Sequence, residues 1–218
     1  MNYYININFA LQQLREQARL NKQVGPALLI TGAQLTGKST LAKILTNYSI
    51  KLGWKPIFVD LDLNSCELTP PGTISAATIT ETLPCDSIKE VITFLHGKET
   101  FITQEYFLRQ VEELALATTG KLQADLNNFK LVYGDDDEMV APSQPEIFAS
   151  GMIINGYTPV NKAETETLCK AIKLFNVKVV LVLDHEKLEK DIKEYLRLTQ
   201  SPGAIQVNII KVPKSPGI

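Results

Sequence analysis

The residues best suited to chemistry lie in one short glycine-rich segment. The segment reads Gly32-Ala33-Gln34-Leu35-Thr36-Gly37-Lys38-Ser39, with Thr40 directly after it. This order matches the phosphate-binding loop G-x-x-x-x-G-K-[ST]. Its glycines let the backbone approach a phosphate without an intervening Cβ, so that successive N–H groups form an anion-binding concavity. A helix starting near Lys38 adds the positive end of its dipole. The segment therefore predicts a nucleoside triphosphate site.

Three side-chain types are needed around such a loop: a cation for the phosphates, a hydroxyl for Mg²⁺ and a carboxylate on a neighbouring strand. Lys38 is expected to reach the β- and γ-phosphates, and the Ser39 hydroxyl to ligate the metal. The apolar run starting at Ile57 ends with Asp60 and Asp62, which share a face if the strand continues through both. Either carboxylate is a candidate metal ligand, and we prefer Asp62 because a solvated strand end would also explain Asp60.

The elements that must position these residues alternate between buried strands and amphipathic helices. Apolar runs predict strands at 26–31, 57–61, 91–95, 151–155, 177–183 and 205–212. Helical periodicity predicts an opening helix containing residues 9–20 and further helices at 38–51, 103–119, 168–175 and 188–196. Strands separated by helices imply right-handed parallel crossovers. We therefore predict one α/β domain over residues 1–218, a three-layer α/β/α sandwich with a mostly parallel sheet.

The pattern weakens between residues 121 and 145. This part includes the acidic run Asp135 to Glu138 and two prolines, Pro142 and Pro145. A solvated loop is the interpretation we favour, with an acidic metal cluster as the rarer alternative.

Composition excludes several classes of protein. The chain has 218 residues, 44% of them hydrophobic, and a formal net charge of −2, which does not suit binding of long nucleic acid by charge alone. Three cysteines and two histidines fit neither a zinc motif nor a disulfide framework, so we expect reduced thiols. No run reaches the ~18 apolar residues of a membrane span, and the N-terminus lacks a signal-peptide pattern. We expect an intracellular protein without a membrane partner.

The sequence resembles the polynucleotide 5′-hydroxyl kinase family, which includes the ATP-binding subunit of the pre-mRNA 3′-end cleavage and polyadenylation machinery. The resemblance runs along nearly the whole chain, and the order and spacing of its segments are specific. The matching segments are Ala10-Leu11 with Arg15 and Ala18, Gly25-Pro26, Gly37-Lys38-Ser39-Thr40, Leu45-Thr46-Asn47-Tyr48, Leu52-Gly53, Leu61-Asp62, Pro71-Gly72-Thr73, Ser150-Gly151 with Ile154-Asn155, Val182-Leu183-Asp184 with Glu186 and Leu188, and Pro213-Lys214-Ser215.

The resemblance implies a kinase-type site that binds ATP and Mg²⁺. In it Lys38 would neutralise phosphate charge, Ser39 would hold the metal, and Asp62 would engage the metal or the attacking hydroxyl. Pro213 and Lys214 would join the nucleotide-binding residues. The resemblance also implies a nuclear protein that assembles with other subunits of the 3′-end processing complex, with RNA as a candidate partner.

The chain departs from the active members of the family at two places within the domain. Those members have Asp-x-Gly-Gln after the second strand, whereas Asp62 here is followed by Leu63, Asn64 and Ser65. They also carry a tryptophan that stacks on a substrate base, at a position close to Pro159, where only Tyr157 offers a nearby aromatic ring. The single tryptophan, Trp54, lies elsewhere and suits a surface or packing role.

Relative to the family architecture, we expect the chain to represent the central domain alone. The small N-terminal β domain, the C-terminal domain and the arginines of the phosphate lid, which would lie beyond Ile218, have no counterpart in it. We therefore place a nucleotide-binding scaffold subunit slightly above an active RNA 5′-hydroxyl kinase. A different P-loop enzyme, such as a small-molecule kinase or ligase, stays as a third reading. The absence of a guanine-specifying Asn-Lys-x-Asp segment favours ATP over GTP.

Overall fold

Seven strands form one sheet at the centre of the computed structural model, which describes residues 2–64, 67–84, 88, 90–97, 104–133, 146–199 and 206–214. The strand order is β4-β3-β2-β5-β1-β6-β7. The strands are β1 (Ala27–Gly32), β2 (Ile57–Asp60), β3 (Thr73–Thr78), β4 (Ile92–Leu95), β5 (Met152–Asn155), β6 (Val179–Leu183) and β7 (Asn208–Val212). The helices are α1 (Asn2–Leu20), α2 (Lys38–Lys51), α3 (Gln104–Tyr133), α4 (Ile147–Ser150), α5 (Lys162–Leu174) and α6 (Glu186–Thr199).

Helices cover both faces of this sheet, which confirms the predicted three-layer α/β/α sandwich. Alternate residues of a strand point to opposite faces. In β1, Leu28 and Ile30 accordingly pack in a cluster with α1 and α2, whereas Ala27 and Leu29 pack in a second cluster with α3, α5 and α6. All six residues of β1 are buried, as expected of a central strand.

The sheet is parallel at its centre and antiparallel at one end. β5 pairs in parallel with β1 and β2, and β6 pairs in parallel with β1 and β7. β3 pairs antiparallel with both β2 and β4. The predicted mostly parallel sheet is confirmed, but the sequence prediction omitted β3 and with it the antiparallel end of the sheet. The strand reads TISAAT, and its small and polar residues form no apolar run for a pattern search to find.

Helix α3 is longer than its sequence pattern predicted. It runs for 30 residues to Tyr133, so the predicted end near Thr119 and the loop from residue 121 were wrong as far as residue 133. The buried stripe continues through Leu122, Leu126 and Phe129, at spacings of four and three that keep these side chains on one helix face. The acidic run 135–138 lies outside the described residues.

A spanning segment is also excluded for the part of the chain that the structure covers. In that part, no helix combines the length and the apolar character that a bilayer crossing requires.

Candidate functional site

The glycine-rich segment forms a turn between the carboxyl end of β1 and the start of α2. Gly32 has φ +145°, and a Cβ on it would lie 2.2 Å from the backbone oxygen of Leu183 in β6. The next residue, Ala33, donates its N–H to that same oxygen at 3.1 Å. Gly37 has φ +88° directly before the first residue of α2. At position 32, only glycine fits without moving β1 and β6 apart. At position 37, glycine adopts the positive φ without strain.

The loop is open at its tip and at Gly37. A Cβ built on Gly37 would have no heavy atom of the described residues within 4 Å. Leu35, at the tip, has φ +57° and leaves 92% of its surface exposed. The turn is held from within, because the Thr36 hydroxyl donates to the Ala33 oxygen at 2.8 Å. The segment thus has the form of an anion cradle ahead of a helix N-terminus.

Lys38 lies at the centre of this cradle and is buried. Its Nζ donates to the Ala33 oxygen at 3.0 Å and to the Thr158 hydroxyl at 2.7 Å. Thr158 in turn donates to the Gly32 oxygen at 2.9 Å. Burial lowers the pKa of Lys38, and the charge of Asp62 opposes that shift. Both hydrogen-bond acceptors of the ammonium group are neutral, so a phosphate anion would be a stronger partner than either.

The two predicted carboxylates occupy different environments. Asp60 ends β2 and is completely buried. It accepts hydrogen bonds from the backbone N–H of Asp62 at 3.1 Å, the backbone N–H of Glu67 at 2.8 Å and the amide of Asn155 at 3.0 Å. Burial raises the pKa of Asp60 to about 7, against the effect of these three donors. Asp60 therefore organises the loop after β2, and it does not line the cavity described next.

Asp62 lies beyond the end of β2, so its direction is set by the loop rather than by strand alternation. It lines a cavity of about 950 Å³ that opens over the P-loop. Six of the nine predicted loop residues, Gln34, Leu35, Gly37, Lys38, Ser39 and Thr40, line the same cavity. The remaining three, Gly32, Ala33 and Thr36, hold the turn from behind. The cavity thus brings together the predicted cation, hydroxyl and carboxylate.

The donor set fits Mg²⁺ bound with a nucleotide rather than a metal held by protein alone. Among the described residues, no group of three or more His, Cys, Asp or Glu side chains could hold a metal ion. Mg²⁺ commonly takes one or two protein oxygens and completes its shell with phosphates and waters. The Ser39 hydroxyl and the Asp62 carboxylate can supply the protein oxygens.

Apart from Tyr157, the opposite wall of the cavity was not predicted from the sequence. It comes from the residue after β4, from α3 and from the chain between β5 and α5 with the first half of α5. Its residues are His96, Gln104, Phe107, Tyr157, Thr158, Val160, Glu164 and Thr167. The rings of His96, Phe107 and Tyr157 form a chain of edge-to-face contacts at 5.2 and 5.5 Å. Asn155, buried beneath the loop, was noted only as part of a resemblance, although a polar residue that ends an apolar strand is a recognisable signal.

Three further predictions concern residues around the cavity. Tyr157, considered as a replacement for the base-stacking tryptophan, lines the cavity, but its hydroxyl donates to the Glu164 backbone oxygen at 2.9 Å. Trp54 is buried against Phe148 in a packing role. Pro213 and Lys214 follow the edge strand β7, are exposed, and do not line the cavity, so their part in nucleotide binding stays a prediction.

The fold and this loop define a class of protein. A parallel sheet with a P-loop at the carboxyl end of its central strand, ahead of a helix, is the architecture of a P-loop nucleotide-binding domain. The family described as "mRNA cleavage and polyadenylation factor CLP1 P-loop" matches residues 32–131 and 138–218. The chain belongs to this family.

Relatives from plants and animals support the assignment. A CLP1 homolog of Arabidopsis thaliana is 31% identical over 99% of the chain, and the protein clpf-1 of Caenorhabditis briggsae is 34% identical over 93%. A Danio rerio protein named polyribonucleotide 5′-hydroxyl-kinase Clp1 is 30% identical over the whole chain. The chain spans about half the length of these relatives, at 45%, 46% and 44% respectively.

Solved structures share the same fold. Clp1p in its complex with a Pcf11p fragment superposes with a TM-score of 0.74 at 24% identity. The match covers all of this chain and 49% of the solved one. A second Clp1p–Pcf11p structure, with the same score, concerns the loss of ATP in a glycine-to-arginine mutant.

Proposed function

We propose that this chain binds ATP with Mg²⁺ at the P-loop and acts as the nucleotide-stabilised scaffold domain of an mRNA 3′-end cleavage and polyadenylation factor subunit. The observation that carries the proposal is the shared cavity of Lys38, Ser39 and Asp62 over an open P-loop in a member of this family. The phosphates would replace the Ala33 oxygen and the Thr158 hydroxyl as hydrogen-bond partners of the Lys38 ammonium group. The Ser39 hydroxyl would meet the metal at the first turn of α2.

The scaffold role follows from what a bound nucleotide does for stability. The site joins β1, β2, β5 and α2, so a ligand there holds the centre of the sheet together. Binding that is restricted to the folded state stabilises it by RT ln(1 + [L]/Kd), or about 4 kcal/mol at a thousandfold excess over Kd. The partners would be other subunits of the processing complex. Support for that comes from Clp1p, which has the same fold and is solved together with Pcf11p. A nuclear location follows from the same role.

An active RNA 5′-hydroxyl kinase is the second candidate. The presence of Asp62 in the cavity and the name of the Danio rerio relative favour it. In this reaction the RNA 5′-oxygen would form a bond to the γ-phosphorus while the bond to the β–γ bridging oxygen breaks and ADP leaves. Asp62 would accept the proton of the attacking hydroxyl, and Lys38 would stabilise charge on the phosphates. Asn64, where active members have glycine, lines the cavity and weakens this reading.

One paired measurement separates the two functions. ATP binding is measured by calorimetry with Mg²⁺, and labelled phosphate transfer is measured with a 5′-hydroxyl RNA, on the same sample. The Lys38→Ala variant tests the site, and Lys51→Ala, an exposed lysine at the far end of the same helix, is the matched control. We expect ATP binding that Lys38→Ala abolishes and Lys51→Ala retains, without transfer. Transfer lost in Lys38→Ala alone would establish the kinase, and absence of ATP binding would reject both.

The physiological role is tested in cells. The protein carrying Lys38→Ala is compared with the protein carrying Lys51→Ala for co-purification with processing-complex subunits and for nuclear localisation of a fluorescent fusion. The scaffold proposal expects weaker association for the first variant only. Equal association of both variants would contradict a nucleotide-dependent scaffold, and exclusion of the fusion from the nucleus would contradict the location.

A further inference from the structure

Asn155 occupies the point where three elements of the site meet. It is the last residue of β5, in register with Asp60 of β2 on one side and Ile30 of β1 on the other. Its backbone oxygen accepts the N–H of Leu61 at 2.9 Å. Its side chain is completely buried, directly beneath the P-loop.

The carboxamide of Asn155 links the two metal-side groups of the cavity. Its Nδ2 donates to the Ser39 hydroxyl oxygen at 3.3 Å and to Asp60 Oδ1 at 3.0 Å. Asp60 in turn accepts the backbone N–H of Asp62 and so fixes the start of the loop that carries it. One side chain thus sets the separation between the hydroxyl and the carboxylate that would face a cation.

The other end of the carboxamide is unsatisfied. Asn155 Oδ1 is buried and has no hydrogen-bond partner among the residues that the structure describes. Buried polar atoms without partners are uncommon in folded proteins, and each one calls for an explanation such as a bound ion or water. Asn155 does not itself line the cavity, so it can act on a cation there only through Ser39 and the Asp60 loop.

We propose that Asn155 is a positioning residue for the divalent cation of the P-loop site. It holds the Ser39 hydroxyl and, through Asp60, the Asp62 loop at the spacing the hydrated cation requires. The inference rests on the proposed binding of ATP with Mg²⁺. A purely architectural role, in which Asn155 only ties β5 to β2, makes a different prediction, because such a role would not depend on the metal.

The test is the metal dependence of ATP affinity. Calorimetry with Mg²⁺ and with EDTA is performed on the wild type, Asn155→Ala and Asn155→Thr. Threonine favours a strand and keeps one hydroxyl, but it is too short to contact both Ser39 and Asp60. Ser75→Ala is the control, because Ser75 is equally buried and is the register partner of Asp60 on the other side of β2.

We expect both Asn155 variants to lose about tenfold in affinity for ATP with Mg²⁺, the size of loss expected when hydrogen bonds to charged groups are removed. In EDTA their affinity for ATP should stay within about twofold of the wild type. The Mg²⁺ concentration at half-maximal binding should rise by a similar factor, and Ser75→Ala should change neither quantity. Equal losses in Mg²⁺ and EDTA, or a lowered urea midpoint with unchanged affinity, would overturn the inference. Wild-type binding without any Mg²⁺ dependence would overturn it too, yet leave nucleotide binding intact. No wild-type binding would reject the proposed function and this inference together.

Discussion

Glycine-to-alanine substitution at three positions should change stability in opposite directions, because the three sites differ in backbone angle and in the space around the new Cβ. Gly120 lies on the exposed face inside α3, and no heavy atom of the described part of the chain lies within 4 Å of a Cβ built on it. Gly37 has the same open space but a φ of +88°. Gly32 combines a φ of +145° with a Cβ only 2.2 Å from the Leu183 oxygen.

These geometries set the expected changes in the free energy of unfolding. Gly120→Ala should stabilise by about 1 kcal/mol, because alanine loses less backbone entropy within a helix. Gly37→Ala should cost about 1–2 kcal/mol, the usual strain of a left-handed non-glycine residue. At Gly32 the contact is shorter than an ordinary van der Waals distance by over 1 Å, and the clashing atom is backbone. Because β1 must then move from β6, we expect a loss of about 4 kcal/mol or more, at the extreme of single substitutions.

Urea unfolding followed by circular dichroism measures all three variants against wild type. A domain with a stability of about 5 kcal/mol, the lower end of the usual range, would be close to unfolded as Gly32→Ala and still folded as Gly37→Ala. In thermal melts the mild changes should shift Tm by about 2–4 °C per kcal/mol. A cost at Gly32 no larger than at Gly37 would refute the steric reasoning. Destabilisation by Gly120→Ala would refute a regular helix through that residue.

Further predictions concern the carboxylate under the site, the extended helix and a buried thiol. The pKa of Asp60 is about 7 in the folded state, above its unfolded value of 3.8. The stability that Asp60 contributes is therefore complete below about pH 4 and is lost as the pH rises to about 7. At 1.36 kcal/mol per pKa unit, the loss in the free energy of unfolding is on the order of 4 kcal/mol. Unfolding at pH 5 and pH 7.5 should therefore show a fall that Asp60→Asn lessens, and equal slopes for the two proteins would contradict it. Phe129→Ala should lower the free energy of unfolding by about 3–5 kcal/mol, because Phe129 is buried. Leu131 is 83% exposed on the same helix, so Leu131→Ala should cost less than about 0.5 kcal/mol. Similar costs for the two variants would argue against the packing of the last turns of α3. Burial raises the pKa of Cys169 to about 12, so in a variant without the other two cysteines a thiol reagent at pH 8 should react only after unfolding, whereas fast reaction of the native protein would contradict its burial.

Much of the fold could be predicted because local pattern and tertiary environment agree. The central strands are apolar runs buried on both faces, and α2 begins and ends at the predicted residues, Lys38 and Lys51. β3 could not be predicted, because its identity as a strand comes from pairing between β2 and β4 and not from apolar side chains. The last part of α3 was not predicted, because its hydrophobic pattern weakens after Thr119. In the structure, Leu126 and Phe129 pack in a buried cluster with Trp54 and residues of α4.

The candidate site shows the same division. A contiguous motif predicted the P-loop, since its conformation is encoded by neighbouring residues. The difference between Asp60 and Asp62 could not be read from the sequence, because it depends on where β2 ends and on Asn155, which is 95 residues away. The wall formed by His96, Phe107 and Tyr157 depends on packing between distant segments in the same way.

The position of β1 between β5 and β6 has a consequence for how the protein is made. The contacts that complete the P-loop join residues far apart in the chain: Thr31 and Tyr157 are separated by 126 positions, Lys38 and Thr158 by 120, and Ser39 and Asn155 by 116. A nascent chain that has not reached Asn155 contains the whole motif but no nucleotide site. Until then β1 presents two unpaired edges, which is the state in which strands aggregate. Contacts of such long range also slow folding. ATP can therefore stabilise only a chain that already includes β5, and the central strand must stay free of aggregation before any nucleotide can protect it.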